Sequence, residues 1–246
     1  MNIFLHLGRY FLLLNKVLRK PEKGVIFRNQ LFSEFVGLGV ESLGIVVIIS
    51  VFMGAIIVIQ TAFNIDSPLI PVYTIGFMTR QSMILEFSPT IVSLILAGKV
   101  GSRIASEIGT MQVTEQVDAL EIMGVNPGNY LIFPKIIAAL LIFPVIIIVS
   151  MFLGIFGGWA AGILSGLVTS HDYIYGIQLD FQAYDVLYAM IKTICFAFII
   201  TSVAGYFGYF TRGGALEVGK ASTKAVVYSS ILIIFFNLIL TQLLLS

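Results

Sequence analysis

Residues 97–127 read AGKVGSRIASEIGTMQVTEQVDALEIMGVNP and interrupt a chain that is otherwise dominated by apolar residues. The 246-residue sequence is 58% hydrophobic and only 11% charged. Soluble domains carry about 25% charged residues, so this composition excludes a soluble globule and predicts a membrane protein. We call residues 98–135 the central segment. Six charged residues lie within it before residue 127: Lys99, Arg103, Glu107, Glu115, Asp118 and Glu121.

Five apolar stretches flank the central segment, and each is long enough to cross a bilayer, which requires about 20 residues per helix. The second stretch is the least regular because it contains Arg80, Glu86 and Pro89. The sequence therefore predicts an all-α polytopic membrane protein with one membrane domain over residues 1–246. The predicted transmembrane helices are 43–62, 73–97, 136–165, 186–210 and 226–245.

Residues 1–30 are predicted to form a helix along the membrane surface, followed by a basic segment. Arg9 lies inside the apolar part and no small-residue cleavage site follows, which argues against a secretory signal peptide. At helical spacing the apolar residues share much of one face and the basic residues lie elsewhere; the alternative is a loosely helical tail. The apolar set is Phe4, Leu5, Phe11, Leu12 and Leu18, and the basic set is Arg9, Lys16, Arg19 and Lys20.

The basic residues indicate the orientation, because cytoplasmic loops retain lysine and arginine. Apart from Arg80 and Lys192, they lie in the N-terminal tail, the central segment and the loop before the fifth span. The connections 63–72 and 166–185 contain none. We therefore predict that the N-terminus and central segment are cytoplasmic and that the C-terminus is extracytoplasmic. The aromatic connection 166–185 is predicted to rest at the outer interface, or alternatively to dock an extracytoplasmic partner.

Several classes of function are disfavoured by the residue inventory. A net charge of +1 without a basic stripe predicts no nucleic-acid partner. His6 and His171 lie on predicted opposite sides of the membrane, so no metal site is expected, and the serine-hydrolase motif GxSxG does not occur. Gly98-Lys99 resembles the end of a phosphate-binding loop, but Val100 replaces the required hydroxyl residue. We predict no catalytic residue, no cofactor and no ATP site in this chain.

Glu86 places a carboxylate well inside the second span, in the sequence MILEFSPTIVSLILAG (83–98). Such a group costs about 2.5–3.5 kcal/mol to insert, so it is predicted to face a cavity or a partner. Arg80 lies about 240° around the helix from Glu86 and does not share its face. The alternative is that a neighbouring hydroxyl or Lys192 satisfies Glu86. Lys192 could instead extend its amine to the membrane surface.

Glycines recur every four residues along the third span and its end. Small residues at this spacing let another helix approach closely, so the pattern predicts tight helix packing. The glycines are Gly154, Gly158, Gly162 and Gly166.

The end of the quoted stretch has the signals of a short, separate helix. Thr114 is predicted to cap it, Gly124 to end it, and Pro127 to prevent its continuation, which leaves a helix over residues 115–123. One side of it is lined by Val113, Val117, Leu120 and Gly124. The acidic residues Glu115, Asp118 and Glu121 line another, and a helix of this kind is predicted to lie in a groove of another protein.

Three stretches resemble the permease subunits of the Mla lipid-transport system and of the related Mce systems. They are LEFSP (85–89), LAGKVGSRIASEIGTMQVTEQVDALEIMGVNP (96–127) and FPK (133–135). The likeness covers nearly the whole chain, and the run AG-x-x-GS-x-I-x-x-EIG is highly specific. The resemblance implies a non-enzymatic permease subunit of an ATP-binding-cassette (ABC) transporter in a bacterial inner membrane, in which residues 98–135 contain the coupling helix.

The resemblance also implies partners and site residues. It implies a homodimer, cytoplasmic ABC ATPase subunits on the coupling helices, an extracytoplasmic MCE-domain ring, and phospholipid held between the two permease chains. Glu86 matches the glutamate of the family's lipid cavity, although Leu85 stands where the family often has arginine. The residues matching the segment that contacts the ATPase are Glu115, Gln116, Asp118, Glu121 and Gly124.

Two other functions remain as alternatives on the sequence. One is an ion-coupled secondary transporter that uses Glu86 as a proton or sodium site. The other is a membrane scaffold that anchors partner proteins, which predicts no effect of substitutions at Glu86.

Overall fold

A computed structural model describes residues 3–18, 24–65 and 70–245. These residues are mostly helical and contain no β-strand. Five helices are long and apolar enough to cross a membrane, which confirms the predicted all-α polytopic fold. The spanning helices, called the first to fifth spans, are Phe27–Asn64, Thr74–Val113, Pro127–Leu164, Ala183–Tyr209 and Ala215–Leu245.

Several spans are composites of shorter helical segments. The first and second spans contain π-helical turns, which are frequent at functional sites. Pro89 lies in one of them, Met83–Ile91. The α-helices are α1 Ile3–Val17, α2 Gly24–Phe35, α3 Glu41–Asn64, α4 Thr74–Ser82, α5 Val92–Leu96, α6 Ser102–Val113, α7 Gln116–Ile122, α8 Pro127–Leu131, α9 Phe133–Leu164, α10 Ser170–Gln178, α11 Ala183–Tyr209 and α12 Ala215–Leu245, and the other π-helical turns are Val36–Val40 and Ala97–Gly101.

The second span continues well past the apolar stretch 73–97, as far as Val113. A helix can extend beyond hydrocarbon because its backbone hydrogen bonds are internal and its polar side chains can meet water. The length of an apolar stretch therefore indicates which part of a helix is suited to lipid, and it does not indicate where the helix begins and ends.

In the central segment, α6 and α7 are joined at a sharp turn. Glu115 adopts a left-handed backbone with φ 60°, and α7 follows directly. The prediction that Thr114 caps this helix is wrong, because its hydroxyl donates to the carbonyl of Thr110 at 2.8 Å. Gly124 has φ 79° and ends the short helix as predicted. Pro127 then begins α8, whose N-cap is Asn126.

The described residues form two compact units. The first unit contains the N-terminal helix α1, which is attached by polar contacts. His6 Nδ1 lies 2.7 Å from the hydroxyl of Tyr206, and the Tyr10 hydroxyl lies 2.7 Å from Ser202 Oγ. The unit comprises the described residues of Met1–Ser42, Leu94–Phe143 and Cys195–Ile239.

The five apolar residues predicted to share a face of α1 and its end are all exposed. The opposite face, which also contains the buried Leu13 and Val17, is attached to the protein. An exposed apolar face of this kind is the arrangement expected of a helix at a membrane surface. Arg19 and Lys20 of the predicted basic set lie outside the described residues.

Ion pairs hold the first, second and third spans together within the first unit. Lys135 is buried and its amine contacts the carboxylates of Glu34 and Glu107, the latter at 2.9 Å. Arg103 pairs with Glu41 and donates a hydrogen bond of 2.9 Å to a carbonyl of the π-helical turn, that of Gly37. Charged residues of the central segment therefore stabilise the fold as well as facing solvent.

The second unit is held together by close helix approaches at glycines. A Cβ atom on Gly54 would overlap the carbonyl oxygen of Gly154, and one on Gly157 would overlap the carbonyl oxygen of Val51. The first and third spans are thus in backbone contact. The unit comprises the described residues of Leu43–Ser93, Pro144–Ile194 and Leu240–Ser246.

The other glycines of the predicted stripe differ in their surroundings. A Cβ on Gly158 would lie 2.8 Å from Val58 Cγ2, and one on Gly162 would lie 3.2 Å from Val58 Cγ1. Gly166 lies beyond the end of α9, has φ 69° and has open space where a Cβ would be. Gly166 therefore turns the chain rather than contacting a helix, which a spacing rule does not reveal.

Candidate functional site

The Glu86 carboxylate collects hydrogen-bond donors from three spans of the second unit. Lys192 Nζ lies 2.8 Å from Oε1. The hydroxyls of Thr241 and Tyr188 lie 3.3 Å and 3.5 Å from the same oxygen and 2.9 Å from each other. Thr90, one turn along the second span, donates to Oε2 at 3.1 Å. The result is a polar site, which we call the Glu86 site, built around an ion pair within otherwise apolar helices.

Lys192 is completely buried at this site. Its side chain is 0% exposed, and its amine also lies 3.3 Å from the carbonyl oxygen of Leu85 and 4.5 Å from the ring centroid of Tyr188. A carboxylate, a carbonyl and an aromatic face together stabilise an ammonium that has no contact with water. The prediction that Lys192 extends to the membrane surface is therefore wrong.

The Glu86 side chain remains 42% exposed. The alternative raised on the sequence, that neighbouring hydroxyls or Lys192 satisfy Glu86, describes these contacts correctly. Binding of lipid at Glu86 stays a prediction. The sequence did not indicate Tyr188, Thr90 or Thr241 as members of the site, because single hydroxyls in apolar helices carry no pattern.

Arg80 lies elsewhere and secures the helix α10. It is 1% exposed, and its guanidinium donates to the carbonyls of Ile177, Leu179 and Asp180 at 2.7, 2.8 and 3.2 Å. The Ile177 carbonyl lies in the last turn of α10 and the other two follow the helix, at the end where helix carbonyls have no intrahelical partner. Arg80 therefore caps a helix end.

Glycines and a tyrosine complete the attachment of α10 to α4. A Cβ on Gly76 would overlap the carbonyl oxygen of Tyr173, and one on Gly176 would overlap that of Tyr73. The Tyr173 hydroxyl donates to the carbonyl of Ile155 at 3.0 Å, and burial raises the pKa of this phenol. The connection 166–185 is thus a packed element of the second unit.

We expect Arg80→Met to destabilise this attachment by about 2–3 kcal/mol, because it leaves several buried carbonyls without their charged donor. The measurement is thermal unfolding of the purified protein in detergent, with limited proteolysis to locate cleavage in 166–185. Lys220→Met, which removes an exposed cation from α12, is the matched control. Equal stability of the two variants would contradict the capping role.

The helix α7 presents its polar residues and two apolar residues to the outside. Val117 is 2% exposed and anchors the helix, whereas Ile122 and Met123 are 87% and 68% exposed. The Tyr209 hydroxyl lies 3.4 Å from Glu121 Oε1 and links the helix to the end of the fourth span. The predicted coupling residues Glu115, Gln116, Asp118, Glu121 and Gly124 are all exposed.

Ile122 and Met123 were not identified as contact residues from the sequence, because the apolar edge of the helix was placed on the side that contains Val117. An exposed apolar pair beside an acidic surface has the composition of a contact patch for another protein. The signal that could have identified them is the pair of adjacent apolar residues immediately before Gly124, which ends the helix.

The sequence comparisons agree on one group of proteins. Residues 31–243 match the family described as "Permease MlaE". A probable ABC transporter permease protein of Rickettsia typhi is 34% identical over 236 residues, which covers 95% of this chain and 88% of that protein. The intermembrane phospholipid transport system permease protein MlaE of Haemophilus influenzae is 30% identical over 247 residues, covering 98% of this chain and 92% of that protein.

A chloroplast protein is also among the relatives. The protein TRIGALACTOSYLDIACYLGLYCEROL 1 of Arabidopsis thaliana is 32% identical over 234 residues, covering 89% of this chain and 63% of that protein.

Proposed function

Because the chain belongs to the MlaE permease family, we propose that it is the membrane subunit of an ABC transporter that moves phospholipid. The observation that carries the proposal is the family match over residues 31–243, since it includes both the Glu86 site and α7. Hydrolysis of ATP belongs to a separate subunit in this proposal. The location is a bacterial inner membrane, with the N-terminus cytoplasmic and the C-terminus extracytoplasmic.

The Glu86 site supports a role in binding lipid. The partly exposed Glu86 side chain and the hydroxyls beside it supply polar groups for a headgroup, and the apolar walls of the spans suit acyl chains. The buried ammonium of Lys192 already compensates the Glu86 charge, which argues against an ion-coupled transporter.

The surface of α7 supports docking of the ATPase. Its acidic residues are exposed beside Ile122 and Met123, so the patch combines charge for orientation with apolar area for affinity. In the proposed mechanism, ATP binding draws two ATPase subunits together, each moves one coupling helix, and the second and third spans narrow the lipid-binding chamber.

Two further surfaces support the proposed assembly. Four residues of α12 at i, i+3, i+4 and i+7 spacing are exposed, and they provide an apolar face for a second copy of the chain. The α12 residues are Ile231, Ile234, Phe235 and Leu238.

The connection 166–185 exposes Tyr175, Phe181 and Tyr184, which provide aromatic contacts for an extracytoplasmic MCE-domain protein.

The function is tested by co-purification with the ABC ATPase subunit of the same transporter. We expect Asp118→Lys and Ile122→Asp each to reduce the amount of bound ATPase at least tenfold, because one reverses a surface charge and the other removes apolar contact area. Glu217→Lys, an exposed charge reversal in the first turn of α12, is the matched control and should keep the ATPase bound. Undiminished binding by both α7 variants would refute the docking role.

A further inference from the structure

Two asparagine side chains join the end of α1 to the segment that follows α7. Asn126 Nδ2 donates to the carbonyl of Lys16 at 2.9 Å, and Asn129 Nδ2 donates to the carbonyl of Val17 at 2.7 Å. These carbonyls belong to the last turn of α1, where helix carbonyls have no intrahelical partner. Asn129 is 7% exposed and Val17 is completely buried, so the second bond is shielded from water. A Cβ on Gly128 would lie 3.4 Å from Val17 Cγ2, so α1 and α8 are also in van der Waals contact.

The turn between α7 and α8 is itself held by hydrogen bonds. Val125 donates its N–H to the carbonyl of Leu120 at 3.0 Å across the end of α7. The side chain of Asn126 accepts the N–H of Asn129 at 3.4 Å and so begins α8. Asn126 therefore caps α8 and binds α1 at the same time. Hydrogen bonds connect α7 to α1 at every step of this path.

The other half of α1 is bound to the end of the fourth span. The Tyr10 hydroxyl lies 2.7 Å from Ser202 Oγ, and His6 Nδ1 lies 2.7 Å from the Tyr206 hydroxyl. The rings of Tyr10 and Tyr206 also pack edge to face, with their centroids 5.8 Å apart. Ser202 and Tyr206 are both buried, so these contacts are part of the interior of the first unit. Thus α1 has one attachment beside α7 and a second on the fourth span.

The direct contact between α7 and the fourth span is weaker than this path. The hydrogen bond from Tyr209 to Glu121 is long at 3.4 Å. By contrast, α1 is bound at both ends by contacts of 2.7–2.9 Å. It has 15 residues and is about 22 Å long, and its backbone hydrogen bonds are internal. A helix of this kind can transmit a displacement from one end to the other.

We propose that α1 is a rigid link that carries displacement of the coupling helix α7 to the fourth span, and that Asn126 and Tyr10 are the positioning residues at its two ends. This inference rests on the proposed function, because it adds the fourth span to the helices that move when the ATPase subunits draw together. Without the link, ATP is still hydrolysed but less lipid is moved for each ATP.

The test uses the complex of the full chain with its ATPase in vesicles, and it measures the labelled phospholipid transferred per ATP hydrolysed. Asn126→Asp keeps the oxygen that begins α8 but removes the amide donor to Lys16. Tyr10→Phe removes only the hydroxyl that contacts Ser202. Each variant should lower the ratio about fivefold, because each loses one hydrogen bond of the link. The amount of ATPase that co-purifies should stay at the wild-type level.

The double variant Asn126→Asp/Tyr10→Phe distinguishes a link from two unrelated structural contacts. A link fails when either end is released, so the double variant should lower the transport ratio no further than the single variants do. Stability should behave differently. Lys16 follows Tyr10 by six residues, which places the two ends about 9 Å apart along α1, and losses of stability at such separated sites add. The unfolding temperature should therefore fall further in the double variant.

Two control variants repeat these exchanges outside the link. Asn64→Asp changes an exposed asparagine at the end of α3, and Tyr228→Phe removes the hydroxyl of an exposed tyrosine on α12. Both should keep the wild-type ratio of lipid to ATP. If Asn126→Asp does not fold, the ratio in Tyr10→Phe still decides the question.

The outcomes separate the two proposals. A wild-type ratio in either single variant, or a loss in the double variant equal to the product of the single losses, overturns the link and leaves lipid transport by this chain intact. Loss of the ATPase from Asn126→Asp also overturns it, because Asn126 would then belong to the docking surface. A wild-type complex that hydrolyses ATP but transfers no lipid overturns the proposed function as well.

Discussion

Gly54→Ala is expected to destabilise the protein by about 3 kcal/mol, although it adds only one methyl group. The new Cβ would overlap the carbonyl oxygen of Gly154, and a backbone atom cannot rotate away as a side chain can. The first and third spans would have to separate, and each would lose van der Waals contacts along the interface. Overpacking of this kind costs about 1–3 kcal/mol or more in tightly packed interiors.

The matched control for this prediction lies in the same helix. Gly44 also belongs to α3 but has no atom within 4 Å of its ideal Cβ position. Gly44→Ala should leave the stability unchanged or raise it slightly, since alanine favours helix over glycine. The measurement is thermal unfolding in detergent, in which the fraction of protein that remains monodisperse is monitored as the temperature rises. Similar unfolding temperatures for the two variants would show that the predicted helix contact is not close.

Lys192→Met is expected to lower stability by about 2 kcal/mol and to abolish most lipid transport. Removing one partner of a buried ion pair costs about 3–5 kcal/mol, and the cost is smaller here because the Glu86 side chain is partly exposed. The substitution leaves the carboxylate in an apolar span with hydroxyls as donors but without a counter-charge. Transport is measured as transfer of labelled phospholipid between vesicles.

The double variant Glu86→Gln/Lys192→Met separates stability from function. It contains neither charge, so it should recover much of the stability lost in Lys192→Met. It should not recover transport, because the proposed headgroup contact is absent. Glu86→Ala should likewise lower transport while ATPase co-purification is retained. Full transport by the double variant would identify the ion pair as purely structural.

Much of the architecture could be predicted from the sequence, because the signals involved are local. The length of an apolar stretch reports whether it can cross a bilayer, so the five spans were found despite Arg80, Glu86 and Pro89 in the second. A glycine after a short helix reports a left-handed turn, and Gly124 has the expected φ of 79°. The family likewise follows from motif order along the chain.

Contacts between distant residues could not be predicted in the same way. Lys192 follows Glu86 by 106 positions and Arg80 reaches carbonyls nearly 100 positions away, so no spacing rule joins these partners. Lys135 joins Glu34 and Glu107 across three helices for the same reason.

Local patterns decided that this chain forms membrane-spanning helices, because helix formation and bilayer length depend on consecutive residues. Packing decided which of its charges are hidden and which remain accessible. The buried ion pair of Lys192 with the partly exposed Glu86 exists only because three spans bring their side chains together, and the burial of one partner sets the electrostatic character of the site.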